Sequence, residues 1–282
     1  MRLRFSVLLV LALSLASCVP QVRRGSMSCA WRVCVTHADT PVGRDYLAEN
    51  REPVPVTVGL VFRSVENLRP PRGGRVDVVV PPFETVDVVH LDKFKIDSPV
   101  GAAVAVEIDL GSSTNVPDGF VYGVPFGGDE PREVIQGYGG EETHLASMYY
   151  SLDIAMPEGT PVLAARAGVV LLVQDGFTQG GTDPQLLERS NLVVIAHADG
   201  TMASYGHLQR GVRVRVGQQV EEGTLLGMSG STGFAGQPHL HFHVGNRMLG
   251  EPGRTIPIEM RDSGGRPVDM SLGAWVQPAR RR

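Results

Sequence analysis

Apolar and polar positions alternate along much of the chain with a period of two, which is the signature of β-strands. Val54, Val56, Val58, Leu60 and Phe62 alternate with Pro55, Thr57, Gly59 and Val61. Val76, Val78 and Val80 follow the turn Pro70-Pro71-Arg72-Gly73-Gly74, and Val86 to Leu91 and Val104, Val106, Ile108 and Leu110 repeat the theme. Strands at this spacing predict a small β-sandwich-like module over 49–112. Its lone His90 reads as structural. The polar run Gly111-Ser112-Ser113-Thr114-Asn115 marks a boundary.

Beyond that boundary short apolar runs return, at Val162 to Ala165, Val169 to Val173, Asn191 to Ile195 and Met202 to Leu208. Asp199-Gly200 is a hairpin turn, and Val212 to Gly217 and Val220 to Gly227 read as further hairpins with glycine corners. The expectation is an all-β chain, with a second, compact antiparallel domain over 113–250. The insertion between Gly176 and Ser190 is long enough to expect it at the rim of a cleft.

The densest chemistry lies in Pro238-His239-Leu240-His241-Phe242-His243-Val244. As a strand, it places His239, His241 and His243 on one face and Leu240, Phe242 and Val244 on the other. One face can bind and the other can pack, and neutral imidazoles are the commonest metal ligands. Asp153 precedes the apolar Ile154-Ala155-Met156, where an unpaired carboxylate is expensive to bury. His207 follows Tyr205 by two residues, so the period puts both on the same side of one strand.

Composition agrees with a turn-rich β-protein, since 34 glycines and 20 prolines in 282 residues make about a fifth of the chain, against about an eighth on average. A formal net charge of -4 supplies no basic field for nucleic acid, so no nucleic-acid partner is expected. At the start, Met1-Arg2-Leu3-Arg4, the apolar run Val7 to Leu15 and the small residues after it read as a signal peptide over 1–17. Leu15-Ala16-Ser17-Cys18 resembles a bacterial lipobox, which implies a membrane anchor through lipidated Cys18 and a tether over 18–48. Val19 in place of an aspartate points, in lipoproteins of Gram-negative bacteria, to the periplasmic face of the outer membrane. Cys29 and Cys34 form an even pair in an exporting context. The remaining tail, 251–282, ends in Arg280-Arg281-Arg282, with Trp275 expected to pack back onto a domain.

Several separated stretches together carry a family resemblance. Leu152-Asp153-Ile154-Ala155-Met156-Pro157-Glu158-Gly159-Thr160-Pro161, Tyr205-Gly206-His207-Leu208, Gly227-Met228-Ser229-Gly230-Ser231-Thr232-Gly233 and Pro238-His239-Leu240-His241-Phe242 resemble, in order, the signature of lysostaphin/LytM-type zinc endopeptidases, peptidase family M23. The resemblance covers about residues 131 to 248. It implies a compact antiparallel β-domain with a groove that binds Zn2+ and cleaves peptide stems of bacterial peptidoglycan. Carried over by position, Asp153 and His241 are implied metal ligands, and His207 and His239 implied catalytic groups beside the metal. His197 matches a position that is commonly histidine and is read as structural.

One position departs from the pattern. The family's first ligand is a histidine four residues before the aspartate, and Tyr149 stands there, a phenol with a reference pKa near 10. His144 lies nine residues before Asp153, after the pliable Gly137-Tyr138-Gly139-Gly140. The sequence resembles a divergent branch of the family with this longer spacing, which implies His144 as the third ligand; His243, or no third ligand, are the competing readings. The function expected is a zinc-dependent peptidoglycan endopeptidase, the alternative a catalytically inactive relative that binds or activates a cell-wall hydrolase. A lipoyl- or biotinyl-carrier domain is excluded, because no lysine stands between Val212 and Val244.

Overall fold

The computed structural model describes residues 24–112, 117–140, 143–246 and 255–279. The signal segment, Cys18, residues 113–116, Glu141-Glu142 and the terminal arginines lie outside the described residues. No helix among the described residues is long and apolar enough to cross a membrane.

Two antiparallel sheets face each other in the N-terminal module. One runs in the order Arg24–Ala30, Val33–Asp39, Gly43–Asn50, Thr85–Asp92, and the other Arg75–Val80, Val56–Glu66, Gly101–Leu110. The alternation anticipated for 54–62 is real, since Val56, Val58, Leu60 and Phe62 all turn into the core with Tyr46, Ala48 and Leu110. His90 bonds Asp45 on the neighbouring strand, a structural arrangement.

The stretch expected to be a tether is instead structured from Arg24, and three of the module's strands come from 24–50. Val33 and Val35 are fully buried, but Arg32, Thr36, His37 and Asp39 around them mask so short an alternation. Cys29 and Cys34 sit directly opposite each other in the first hairpin and are disulfide-bonded.

The C-terminal domain is built on an eight-stranded sheet in the order Gln219–Val220, Gly168–Gln174, Leu192–Ala196, Met202–Gly206, His239–Gly245, Ser151–Ala155, Arg132–Gln136, Trp275–Val276. Val193, Ile195, Ala203, Tyr205, Leu240, Phe242 and Val244 fill this domain's own core from one face. On the opposite face Leu171, Val194, Ala196 and Met202 join the core of the N-terminal module. Strands covered on both faces have no polar side to show, which is why Val169 to Val173 and Leu192 to Ala196 read as unbroken apolar runs.

Three further expectations need correction. Residues 212–216 form no strand, because their backbone bonds go to loops and to Leu226, as in Arg213 N to Leu226 O at 2.7 Å. The tail belongs to the domain: Glu259–Arg261 pairs in parallel with Val121–Gly123, and Trp275–Val276 completes the sheet edge. Val276 is the residue that buries there, while Trp275 stays 66% exposed.

Candidate metal centre

The histidine strand behaves as its period requires. His239–Gly245 lies between Ser151–Ala155 and Met202–Gly206, with Asp153 and Gly206 both directly opposite His241. Leu240, Phe242 and Val244 are fully buried in the core, so His239, His241 and His243 share the other face with Asp153. Gly206 has no side chain there; a Cβ would sit at 3.4 Å from the His241 Cβ, in contact with it.

His207 breaks the strand that was expected to carry it. Met202–Gly206 ends one residue earlier, and His207 adopts φ +59°, a left-handed conformation uncommon for a side chain with a Cβ. Tyr205, still within the strand, points into the core with Ala203, where its hydroxyl accepts from Ala165 N at 2.8 Å. The His207 ring instead lies beside the histidine face, with ring centroids 4.4 Å from His239 and 5.9 Å from His241.

His144 enters from the loop before the Ala146–Met148 turn and is completely buried. Its Nδ1 is 2.8 Å from the Gly137 carbonyl, which fixes the proton on Nδ1 and leaves Nε2 as a lone pair. That Nε2 lies 3.3 Å from Asp153 Oδ1, yet off hydrogen-bonding geometry, so it is a buried polar atom without a hydrogen-bond partner. Asp153 Oδ1 is also 2.8 Å from His241 Nδ1 and 3.7 Å from His239 Nε2. One ligand atom from each of His144, Asp153 and His241 falls within 4.8 Å of the others. Tyr149 is not part of this set; it is 48% exposed, and its ring packs on Tyr150. Nor is His243, whose Nδ1 faces His241 Nε2 at 3.1 Å.

Electrostatics agree with a cation-seeking site. Burial works to raise the Asp153 pKa, but the imidazoles of His144 and His241 outweigh it and hold the carboxyl well below the usual carboxylate range. Burial works to lower the His144 pKa, but Asp153 outweighs it and raises it. His207 is pushed down to about 3, first by burial and then by His239 and His241, and burial lowers His239 as well. A carboxylate and two imidazole nitrogens around a small space, one of them orphaned, are a donor set that suits zinc.

Neighbours not singled out in the sequence hold these groups in place. Gln136 Nε2 donates to Asp153 Oδ2 at 3.3 Å and to Thr143 Oγ1 at 2.7 Å. His207 Nδ1 donates to Thr232 O at 2.7 Å, and Ser190 Oγ accepts from His207 N at 2.9 Å. Asn191, fully buried, donates to Phe177 O and Leu208 O and accepts from Gly176 N and Phe177 N. The insertion 176–190 thus reaches the site; within it Gly180–Gly181 pairs in parallel with Gly233–Phe234. A polar residue between a loop and an apolar run was the signal at Asn191. His197 sits at the opposite end of the hairpin from Gly206, donates from Nδ1 to Ala167 O and packs on Tyr122.

This is an all-β domain in which a loop histidine joins an aspartate and a histidine of one sheet face in a cluster that could hold a metal ion. Residues 147–252, somewhat over a third of the chain, match the model of Peptidase family M23. The match begins three residues after His144. Over 102 residues the chain is 38% identical to the peptidoglycan DD-endopeptidase ShyA of Vibrio cholerae, covering 36% of this chain and 21% of that protein. Over 117 residues it is 31% identical to the DD-carboxypeptidase/endopeptidase Mpg of Neisseria meningitidis (42% and 24% covered), and over 96 residues 36% identical to lysostaphin of Staphylococcus simulans (34% and 17% covered). The chain thus spans less than a quarter of the length of these relatives. Among solved structures, a point mutant of the catalytic domain of the prophage-encoded M23 protein EnpA from Enterococcus faecalis is 28% identical, covering 48% of this chain and 93% of that one, with a TM-score of 0.36.

Proposed function

We propose that this protein is a zinc-dependent endopeptidase that hydrolyses peptide cross-links of bacterial peptidoglycan, with His144, Asp153 and His241 as metal ligands and His207 and His239 as catalytic groups. The observation that carries it is the convergence of the three ligand atoms within 4.8 Å beside two imidazoles anchored by backbone carbonyls. The family match and the names of ShyA and Mpg support the substrate class. The signal segment and Cys18 support an envelope location with a lipid anchor.

His144 would bind through Nε2, Asp153 through Oδ1 and His241 through Nδ1. Zinc held there supplies a Lewis acid and a water acidic enough to attack near neutral pH. His239 Nδ1 donates to Gln237 O at 2.8 Å and His207 Nδ1 to Thr232 O, so each ring keeps Nε2 as an acceptor. One of them takes the proton of the attacking water and returns it to the departing amine. The other stabilises the oxyanion of the scissile carbonyl by taking a proton from solvent onto Nε2 as the negative charge develops beside it, which offsets the burial that lowers its pKa.

The test is zinc per chain in the parent, His144→Ala, His243→Ala and Asp153→Ala, followed by digestion of purified peptidoglycan with identification of the released fragments. Near-stoichiometric zinc lost in His144→Ala and Asp153→Ala but not in His243→Ala, with peptide cross-links opened by the parent and not by the zinc-free variants, is the expected result. A parent that takes up zinc but opens no cross-link points to a binding or activating relative.

A further inference from the structure

We infer that His243 is a positioning residue that fixes the tautomer of His241, accepting the His241 Nε2 proton so that Nδ1 is presented to the metal as a lone pair. The inference rests on the metal site proposed above and assigns a role to a histidine which that site does not use.

A neutral imidazole carries one proton on one of two nitrogens, and a nitrogen that ligates a metal cannot be the one that carries it. His241 Nδ1 faces Asp153 Oδ1 at 2.8 Å, whereas Nε2 is turned to His243, so Nδ1 is the nitrogen on the side of the His144–Asp153–His241 group. The proton must then sit on Nε2, inside the protein, where it needs an acceptor. Among the described residues the hydrogen-bond partner of Nε2 is His243 Nδ1, at 3.1 Å, with ring centroids 5.2 Å apart. Positions i and i+2 of one strand put the two rings side by side on the same face.

The surroundings are shaped for this ring. The residues directly opposite His243 on the two neighbouring strands are Ser151 and Ser204, both small, and Ser151 Oγ is buried without a hydrogen-bond partner. The same contact explains why His243 is not a ligand. Its Nδ1 is committed to the far side of the His241 ring.

The experiment measures zinc affinity of the full chain in detergent by competition with a chromophoric chelator, together with thermal unfolding in EDTA. His243→Leu keeps bulk but has no acceptor, whereas His243→Asn places an amide oxygen close to the position of Nδ1. Loss of such an outer partner costs about 10- to 100-fold in metal affinity. His243→Leu is expected to weaken zinc by that factor while its midpoint in EDTA stays near the parent's, and His243→Asn to stay within a few-fold of the parent. Parent-like affinity in His243→Leu overturns the inference. So does an Asn variant as weak as the Leu variant, because packing and not proton acceptance would then be the cause. A parent that binds no zinc fails at the earlier step and overturns the site itself.

Discussion

Asp153 and His241 stand directly opposite each other on adjacent antiparallel strands, with Oδ1 2.8 Å from Nδ1. The sheet register alone brings the carboxylate to the imidazole. Asp153→Asn keeps the shape and removes the charge. It is expected to lower zinc affinity by more than about 100-fold, since losing an outer partner alone costs about 10- to 100-fold. Tyr149→Phe, at the family's usual ligand position, is expected to leave zinc affinity unchanged. Equilibrium dialysis against buffered zinc decides both, and a zinc-free Tyr149→Phe would return the third ligand to that position.

His207 and His239 touch the site without belonging to the ligand set. His207→Ala and His239→Ala are each expected to keep zinc and to lose about 10²- to 10⁴-fold in kcat, the usual worth of a general acid or base. Peptidoglycan digestion rates beside zinc content check this; a variant that loses its zinc along with activity would instead be a ligand.

Asn191 ties the 176–190 insertion to the start of the loop that holds His207. It makes four side-chain hydrogen bonds while fully buried, so Asn191→Ala strands several backbone groups and is expected to destabilise the fold by about 2 to 4 kcal/mol. Urea unfolding measures the loss. A change under about 0.5 kcal/mol would place Asn191 among ordinary surface residues.

His197 is 5% exposed and its Nε2 is buried without a partner. Burial pushes it down to about 4, with Arg166 adding to the shift and the Ala167 carbonyl, Asp199 and Asp118 acting against it. The unfolded histidine, near 6.5, takes its proton first as the pH falls. The stability this group contributes is therefore complete above about pH 6.5 and is lost progressively toward pH 4, by about 2 to 3 kcal/mol at pH 4.5. His197→Asn retains a donor for Ala167 and does not titrate, so in EDTA its urea midpoint should fall less than the parent's between pH 7.5 and 4.5. Equal falls would remove His197 as the cause.

Much of the site could be read from local pattern. Alternation in 239–244 assigns Leu240, Phe242 and Val244 to the core and the histidines to the opposite face, because adjacent strand residues cannot share a face. Asp199-Gly200 marks its hairpin because the turn needs a residue at positive φ, and Gly200 has φ +79°. What periodicity cannot tell is which strands become neighbours, or where the backbone leaves its period. His207 changes side through one left-handed residue, against the face that alternation assigns it. The strands of 24–50 and the sheet-edge pair Trp275–Val276 are too short or too polar to register alone, and they form only where a partner supplies hydrogen bonds. The sequence leaves both His144 and His243 open as the third ligand beside Asp153. Only the three-dimensional arrangement brings His144 Nε2 to 3.3 Å from the carboxylate and turns the His243 ring toward His241, because a loop's path and a ring's rotamer are set by the packing of the whole domain.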